Sequence, residues 1–161
     1  METEVTITDM KLSSGGARVS VMTNDAKARK HAGGCHCGED RYEVELDLEK
    51  AGPSRCNCSI CTKTAVTGAI VKPAAFELMS GEDHLTEYRW GGNVSGRFFC
   101  KRCGVHCFGK GHLAEVGGDF VSINANTLDD VDPAELEVVY WDGRHDNWQA
   151  GPAKKPWPAK A

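Results

Sequence analysis

Cysteines are the residues of this sequence whose spacing most directly predicts chemistry. The chain has eight cysteines among its 161 residues, and all except Cys107 stand in short groups. The groups are GGCHCG with Cys35 and Cys37, CNCSIC with Cys56, Cys58 and Cys61, and FCKRCG with Cys100 and Cys103. Cysteines two or three positions apart, beside a glycine or in a turn, form knuckles in which a tight turn aims two sulfurs at one metal ion. The spacing therefore predicts metal sites.

Two of the knuckles, Cys35 with Cys37 and Cys100 with Cys103, together supply the four donors of a closed tetrahedral zinc site. Such a site is structural, because it ties the start of the first predicted strand to a loop far along the chain. Zinc binding of this kind contributes apparent free energies on the order of 10 kcal/mol to the folding of small domains. Disulfides, an iron–sulfur cluster and inert thiols are the alternatives, of which disulfides are disfavoured in a reducing cell interior.

The remaining group, Cys56, Cys58 and Cys61, has one donor fewer than a closed site needs. Three protein ligands with one exchangeable position are typical of a catalytic zinc. Three thiolates donate strongly, so the ion they hold is a weak Lewis acid and generates hydroxide poorly. The group is better suited to binding an incoming thiol, which loses its proton and remains a nucleophile.

A residue from elsewhere in the chain could close the second site and make it structural too. The candidates are Cys107, His36, His106 and His112. Cys107 is more simply interpreted as a buried apolar side chain, which is the usual fate of a lone free cysteine. Histidines beside ligand positions, such as His36 and His106, more often support ligands or face solvent than bind the ion.

Short strands must position these cysteines. Apolar alternation and β-rich composition predict strands over residues 41–48, 65–72, 83–90, 95–99, 118–124 and 136–141. Glycine-rich turns separate them and helical periodicity is almost absent, which favours a mainly β fold of small antiparallel sheets with at most one or two short helices. Asp132-Pro133 predicts the start of one such helix, because proline suits the first helical turn and the aspartate can cap it.

The length of the chain suits one domain with tails. Residues 1–30 are predicted to form an N-terminal extension, whose weak alternation suggests a hairpin. Residues 31–148 are predicted to form the zinc-binding β domain, and residues 149–161 a proline-rich tail.

Charge and hydropathy exclude several classes of partner. The net charge of -4 provides no broad basic field for nucleic acid or anionic membranes. No run approaches the roughly 18 apolar residues of a membrane span, and the first ten residues lack the basic and apolar regions of a secretion signal. We therefore expect a cytoplasmic protein that binds neither nucleic acid nor membranes.

The ordered cysteine motifs resemble those of the glutathione-dependent formaldehyde-activating enzyme family, whose centromere protein V relatives share its zinc-binding β fold. The resemblance is carried by GGCHCGEDRYEVELDL, CNCSICTK, RFFCKRCG and GGDFVSINANTLDD. It implies an Mss4-like β fold with two zinc ions per chain. The structural ion would be held by Cys35, Cys37, Cys100 and Cys103, and the open, catalytic one by Cys56, Cys58 and Cys61.

The resemblance also implies a reaction, the condensation of glutathione with formaldehyde to S-hydroxymethylglutathione, which is formally a carbon–sulfur lyase reaction run in reverse. The expected partners are thus a small-molecule thiol and an aldehyde. Cations close to cluster cysteines in the sequence could hold the carboxylates of glutathione, although each could equally be a solvated surface charge. These cations are Arg55, Lys63 and Arg102.

Large aromatic residues follow the last predicted strand, namely Trp141, Trp148 and Trp157. They are expected to dock the tail onto the core or, as a second hypothesis, to cover the open zinc site. The alternative to an enzyme is a non-catalytic, zinc-stabilised module that binds another protein. The coordination of the second metal distinguishes the two, because a fourth ligand from the chain would favour the module.

Overall fold

The computed structural model describes residues 27–159. In chain order, the strands of this part are β1 (Arg29–Gly34), β2 (Arg41–Leu46), β3 (Ser54–Cys56), β4 (Gly68–Val71), β5 (Phe76–Ser80), β6 (Leu85–Arg89), β7 (Ser95–Cys100), β8 (His106–Leu113), β9 (Gly118–Asn124) and β10 (Val139–Trp141). The α-helices are α1 (Leu48–Ala51) and α2 (Ser59–Thr64). The mainly β fold class predicted from the sequence is therefore confirmed.

Six strands, β2, β4, β6, β7, β9 and β10, overlap the segments in which the sequence predicts strands. The other four lack a clear apolar alternation, and β8 carries two internal glycines while β1 ends in a pair of them. At Asp132-Pro133 the predicted helix is a single 3-10 turn, Pro133–Glu135, and the Asp132 side chain accepts a hydrogen bond from the N–H of Ala134 at its start.

The strands form two sheets. The smaller sheet has the order β1-β2-β5 and the larger one the order β10-β3-β4-β9-β8-β7-β6. Neighbouring strands are antiparallel except β3 and β10, which run parallel. This parallel pair brings residues from the end of the domain beside the first strand of the larger sheet, which leads into the CNCSIC segment.

Aromatic side chains join the two sheets in the core. The Phe76 ring of β5 lies 4.7 Å from the Phe108 ring of β8 and 5.4 Å from the Tyr42 ring of β2, measured between centroids. Tyr42 and Phe108 are both 1% exposed. Full burial of such a side chain stabilises a fold by roughly 1.5–3 kcal/mol. The core therefore lies against one face of the larger sheet, and the opposite face lies outside it.

Strand register identifies the residues on that opposite face. Residues directly paired in an antiparallel ladder project to the same side, and successive residues alternate. Arg97 pairs with Gly109, Gly109 with Ser122, and Ser122 with Ile70, while Phe108 belongs to the core row. We call the side that carries Arg97, Gly109 and Ser122 the outer face.

The end of the described chain packs on the edge strand β10. Tyr140 and Ala153 exchange backbone hydrogen bonds of 2.8 and 2.9 Å, and the Trp157 indole N–H donates to the Tyr140 carbonyl at 3.0 Å. The hairpin predicted in the N-terminal extension lies almost wholly outside the described residues. In residues 27–159, none of the helices combines the length and hydropathy needed to cross a bilayer.

Candidate metal-binding site

The sulfurs of Cys35, Cys37, Cys100 and Cys103 lie within 4.8 Å of one another and form what we call the four-thiol cluster. Cys35 and Cys37 occupy the turn after β1, whereas Cys100 ends β7 and Cys103 lies in the turn that follows it. The cluster therefore connects a hairpin of the smaller sheet to a hairpin of the larger one, as the pairing of knuckles predicts.

Backbone geometry shapes the two turns of this cluster. Gly38 has φ of 82° and Gly104 has φ of 74°, in the left-handed region that glycine adopts without strain. The N–H of Gly104 donates to the Cys100 carbonyl at 2.8 Å. The N–H of Asp40 donates to the Cys35 sulfur at 3.3 Å and helps to orient it. Cys35 and Cys100 are buried, so this cluster belongs to the core of the fold.

The sulfurs of Cys56, Cys58 and Cys61 also lie within 4.8 Å of one another and form what we call the three-thiol cluster. Cys56 is the last residue of β3, Cys58 caps the start of α2, and Cys61 lies in its first turn. Positions 58 and 61 lie on the same face of α2, so their sulfurs converge with that of Cys56 at the end of β3. Hydrogen bonds from the Cys56 and Cys61 thiols, assisted by backbone N–H groups, lower the pKa of Cys58. Negative charge therefore concentrates where α2 begins.

None of the four residues considered as a fourth ligand joins the three-thiol cluster. Cys107 is fully buried and burial raises its pKa to about 12, which fits its interpretation as an apolar side chain. His112 pairs with Asp119 at 2.6 Å, and His36 is exposed. His106 donates from Nε2 to the Phe108 carbonyl at 3.0 Å. Within residues 27–159, no histidine, cysteine or carboxylate completes the set.

Asn57, between two of the cluster cysteines, is held by the segment that follows β10. Its N–H donates to the Trp141 carbonyl at 3.2 Å, and its side-chain amide donates to Asp142 at 2.7 Å. Its side-chain oxygen accepts from the N–H of Arg144 at 2.9 Å. The hydrogen bond from Asn57 and the one from His145 lower the pKa of the buried Asp142. In the sequence this segment is only a turn, whereas in the fold it fixes the C-x-C backbone.

Gly143 in the same segment approaches the cluster so closely that no side chain fits. A Cβ atom there would lie 2.5 Å from the Cys56 sulfur and 2.7 Å from the Trp148 ring. The Trp148 ring is 49% exposed and its centroid is 6.2 Å from that of Trp141. Two indoles therefore flank the Cys56 side of the cluster, whereas Trp157 docks the tail on β10.

The cations expected from the sequence take different positions. Arg55 alternates with Cys56 along β3 and donates to the Thr67 hydroxyl at 3.0 Å, so it lies on the other side of the strand. Arg102 pairs with Glu39 at 2.6 Å beside the four-thiol cluster. Lys63 lies exposed in the last turn of α2. Arg55 and Arg102 are therefore engaged by other side chains, whereas Lys63 lies on the helix that carries Cys61.

Arg97, which the sequence did not single out, reaches the three-thiol cluster. Its Nη2 lies 3.9 Å from the Cys61 sulfur. The guanidinium also stands over the Trp90 ring, 5.4 Å from its centroid. Strand alternation places the Arg97 side chain on the face of β7 that Phe98 does not occupy. The packing of α2 on this outer face then brings Cys61 to Arg97.

The donor sets of both clusters fit a zinc ion. Thiolates are soft ligands that zinc binds in tetrahedral sets, and cysteines that converge to within 4.8 Å surround a space of suitable size. Each cluster could therefore hold a metal ion, one with four protein donors and one with three. The chain therefore belongs to the class of β domains that carry one four-cysteine cluster and one three-cysteine cluster.

Comparison with known proteins gives the family. The family model described as glutathione-dependent formaldehyde-activating enzyme matches residues 30–143, so the chain belongs to that family. The match includes every cysteine of both clusters.

Individual relatives agree with this assignment. A Penicillium rubens protein is 34% identical over 87 residues and a Pyrenophora teres f. teres protein is 34% identical over 82 residues, each match covering 47% of this chain. Both are named, provisionally, as glutathione-dependent formaldehyde-activating enzymes. The chain spans 41% and 42% of their lengths. A crystal structure of a Rhodobacter sphaeroides protein matches with a TM-score of 0.61 and 29% identity, covering 68% of this chain and 98% of that one.

Proposed function

We propose that the protein adds a thiol, glutathione or a similar compound, to an aldehyde such as formaldehyde at a zinc ion held by the three-thiol cluster. The reaction is formally that of a carbon–sulfur lyase run in reverse, and the four-thiol cluster holds a second, structural zinc ion. The observation that carries the proposal is the convergence of three sulfurs to which the described residues add no fourth ligand. Membership of the family supports the thiol and the aldehyde as substrates.

Cys56, Cys58 and Cys61 would hold the ion, which when bound lowers the pKa of an incoming thiol so that it reacts as thiolate. The remaining roles belong to the chain. Asn57 and Gly143 keep the strand end and the loop close together, as their contacts show.

Cationic side chains near the three-thiol cluster suit the binding of an anionic thiol. Arg144 is exposed and donates from Nε to the Asn57 carbonyl at 3.1 Å, and Lys63 stands exposed on α2. Both can approach the carboxylates of a peptide thiol such as glutathione. Trp148 offers an apolar surface beside them. In the reaction the sulfur forms a bond to the carbonyl carbon, the π electrons move to oxygen, and that oxygen takes up one proton for the one that the thiol released.

Cobalt substitution tests the thiol site directly. We expect glutathione to change the thiolate charge-transfer band of the cobalt-substituted protein, because a fourth sulfur would join the set. S-methylglutathione, which has no ionisable thiol, is the matched control and should change the band little. An unchanged band with glutathione would contradict thiol binding and favour the non-catalytic protein-binding module.

The reaction itself is tested with metal-replete protein and several pairs of thiol and aldehyde, with adduct formation followed by carbon NMR. We expect acceleration over the spontaneous addition for at least one pair, and loss of it in Cys58→Ala. Thiol binding without acceleration of any pair would retain the site and reject the reaction.

A further inference from the structure

Two neighbouring polar side chains, Arg97 and His106, are not among the ligands of either cluster, and one of them reaches the three-thiol cluster. Arg97 lies 3.9 Å from the Cys61 sulfur through Nη2. His106 pairs with Phe99 just beyond a bulge in the pairing of β7 with β8, and the positive charge of Arg97 contributes to lowering the pKa of His106, so the two side chains lie near each other. Arg97 and His106 are thus near neighbours, and Arg97 contacts the ligand that α2 contributes.

The Arg97 guanidinium is a cation without an acidic partner. Among the described residues no carboxylate oxygen lies within 4.0 Å of it, and Arg97 is only partly exposed. Gly109 lies directly opposite, where a Cβ would stand 3.2 Å from Nη1 and 3.5 Å from Cδ, so the absence of a side chain lets the arginine lie across the strand. Stacking on Trp90 holds the guanidinium in this orientation. Its remaining donors are available to a ligand.

The His106 ring supplies the complementary group. The residue is 8% exposed, and Nε2 donates to the Phe108 carbonyl at 3.0 Å, which fixes the tautomer and leaves Nδ1 as an acceptor. Nδ1 is buried and has no hydrogen-bond partner. Asn124 donates to the His106 carbonyl at 2.8 Å and fixes the backbone of this position. A buried acceptor without a partner is costly unless a ligand satisfies it.

We propose that Arg97 and His106 form the subsite for the aldehyde oxygen. Arg97 donates to this oxygen as it gains negative charge, and Nδ1 of neutral His106 accepts a hydrogen bond from the hydroxyl that results. Both are then catalytic residues, and their assignment rests on the proposed thiol addition. The step needs no oxidant or reductant, because the carbon–sulfur bond forms, the carbonyl π bond breaks, and the oxygen takes its proton from solvent.

Paired variants of the metal-replete full chain test the subsite. Arg97→Gln removes the positive charge, and we expect kcat/KM to fall about 100-fold, as for loss of a donor to a developing oxyanion. Arg89→Gln is the control, since Arg89 pairs with Glu87 on β6 instead. Zinc content and the dissociation constant for glutathione, read from the cobalt spectrum, should stay within about threefold of the wild type. A parallel loss of glutathione binding in Arg97→Gln would overturn the proposal, because Arg97 would then hold the thiol.

Histidine variants separate a role in the site from a structural one. In His106→Gln the amide can take the place of Nε2 and keep the bond to Phe108, but the acceptor at Nδ1 is lost. In His106→Asn the amide oxygen can take the place of Nδ1, but the bond to Phe108 is lost. We expect His106→Gln to lower kcat/KM roughly 10-fold or more and His106→Asn to recover part of it. The reverse order, with Asn worse than Gln, would show a structural role and overturn the proposal.

A binding measurement gives a readout independent of turnover. Calorimetry with S-hydroxymethylglutathione, kept formed by excess formaldehyde, is compared with S-methylglutathione, which lacks the hydroxyl. We expect the wild type to prefer the hydroxylated compound about 10-fold and both Arg97→Gln and His106→Gln to lose this preference. Equal preference in wild type and variants would overturn the subsite. A wild type that neither binds glutathione nor accelerates addition would instead reject the proposed function.

Discussion

The four-thiol and three-thiol clusters use the same ligand atom but are built in opposite ways. The four-thiol cluster takes its sulfurs from two hairpins in two different sheets, and Cys35 and Cys100 are buried. The three-thiol cluster takes all its sulfurs from one short segment, and all three are partly exposed. The first arrangement connects distant parts of the chain, whereas the second adds little connection and leaves the sulfurs accessible.

Support for the two clusters differs accordingly. The four-thiol cluster is shaped by its own turns, in which Gly38 and Gly104 take left-handed conformations. The three-thiol cluster depends on residues far away in the sequence, because Asp142 and Gly143 fix one side of it. The candidate structural site thus carries its support locally while its ligands are distant, and the candidate catalytic site shows the reverse.

Loss of a ligand from the four-thiol cluster should have the largest effect. We expect Cys103→Ala to unfold or aggregate the protein, because zinc binding on the order of 10 kcal/mol is comparable with the whole stability of a domain. Thermal unfolding and soluble yield measure this. Cys107→Ala is the control, since that buried cysteine belongs to neither cluster and should cost on the order of 1 kcal/mol. Equal losses in both variants would contradict a structural metal site.

Loss of a ligand from the three-thiol cluster should separate function from stability. We expect Cys58→Ala to remain folded, because the ligands of the three-thiol cluster join no distant segments. The variant should hold one zinc per chain instead of two and should lose thiol addition. Metal analysis and thermal unfolding of the same preparation check this. A loss of stability as large as that of Cys103→Ala would remove the proposed distinction between the clusters.

Gly143→Ala should damage the three-thiol cluster without touching a ligand. The new Cβ would lie 2.5 Å from the Cys56 sulfur, so the loop must move and the affinity of this cluster for zinc should fall roughly 10-fold, as for loss of other supporting residues. Competition with a chelator measures the affinity. Gly92→Ala is the control, because its Cβ would meet only Val94 at 3.7 Å. Equal affinities for zinc in the two variants would show that the loop does not support the cluster.

Acidification should reveal the neutral state of His106. Burial, together with the positive charge of Arg97, lowers the pKa of His106 to about 4 from an ordinary value of about 6.5. The unfolded state therefore binds more protons between these values, so the group's contribution to stability is complete above pH 6.5 and declines as the pH falls towards 4. We expect the difference in unfolding free energy between wild type and His106→Gln to shrink over this range, as measured by urea unfolding. A constant difference would contradict a neutral, buried His106.

The smallest effect should come from the rim of the four-thiol cluster. Arg102 and Glu39 join its two turns through an exposed ion pair of 2.6 Å. Exposed pairs contribute roughly 0.2–1 kcal/mol, so Arg102→Ala should change the unfolding free energy by less than about 1 kcal/mol in urea titrations. A larger loss than in Arg89→Ala, which breaks a similar exposed pair, would show that the rim contributes to holding the metal.

Much of the fold and of the cysteine grouping could be predicted from the sequence, because both depend on local spacing. Alternation in RYEVELDL predicts β2, since a half-buried strand requires that pattern, and the β-rich composition of GDFVSIN predicts β9. Knuckle spacing likewise groups the sulfurs that the structure brings to within 4.8 Å. The glycine-containing strands β1 and β8 were missed because their pairing, and not their side chains, makes them strands.

The surroundings of the three-thiol cluster could not be predicted, because they depend on which elements meet. Proximity in the sequence suggested Arg55 and Arg102, yet strand alternation turns Arg55 away and the second knuckle carries Arg102 to the other cluster. Arg97 and Asp142 reach the cluster only through the packing of α2 on the outer face and the parallel pairing of β10 with β3. The sequence alone thus determined which sulfurs act together, since ligand spacing is local. Tertiary structure decided which charges and rings face them, since long-range strand pairing leaves no local pattern in the chain.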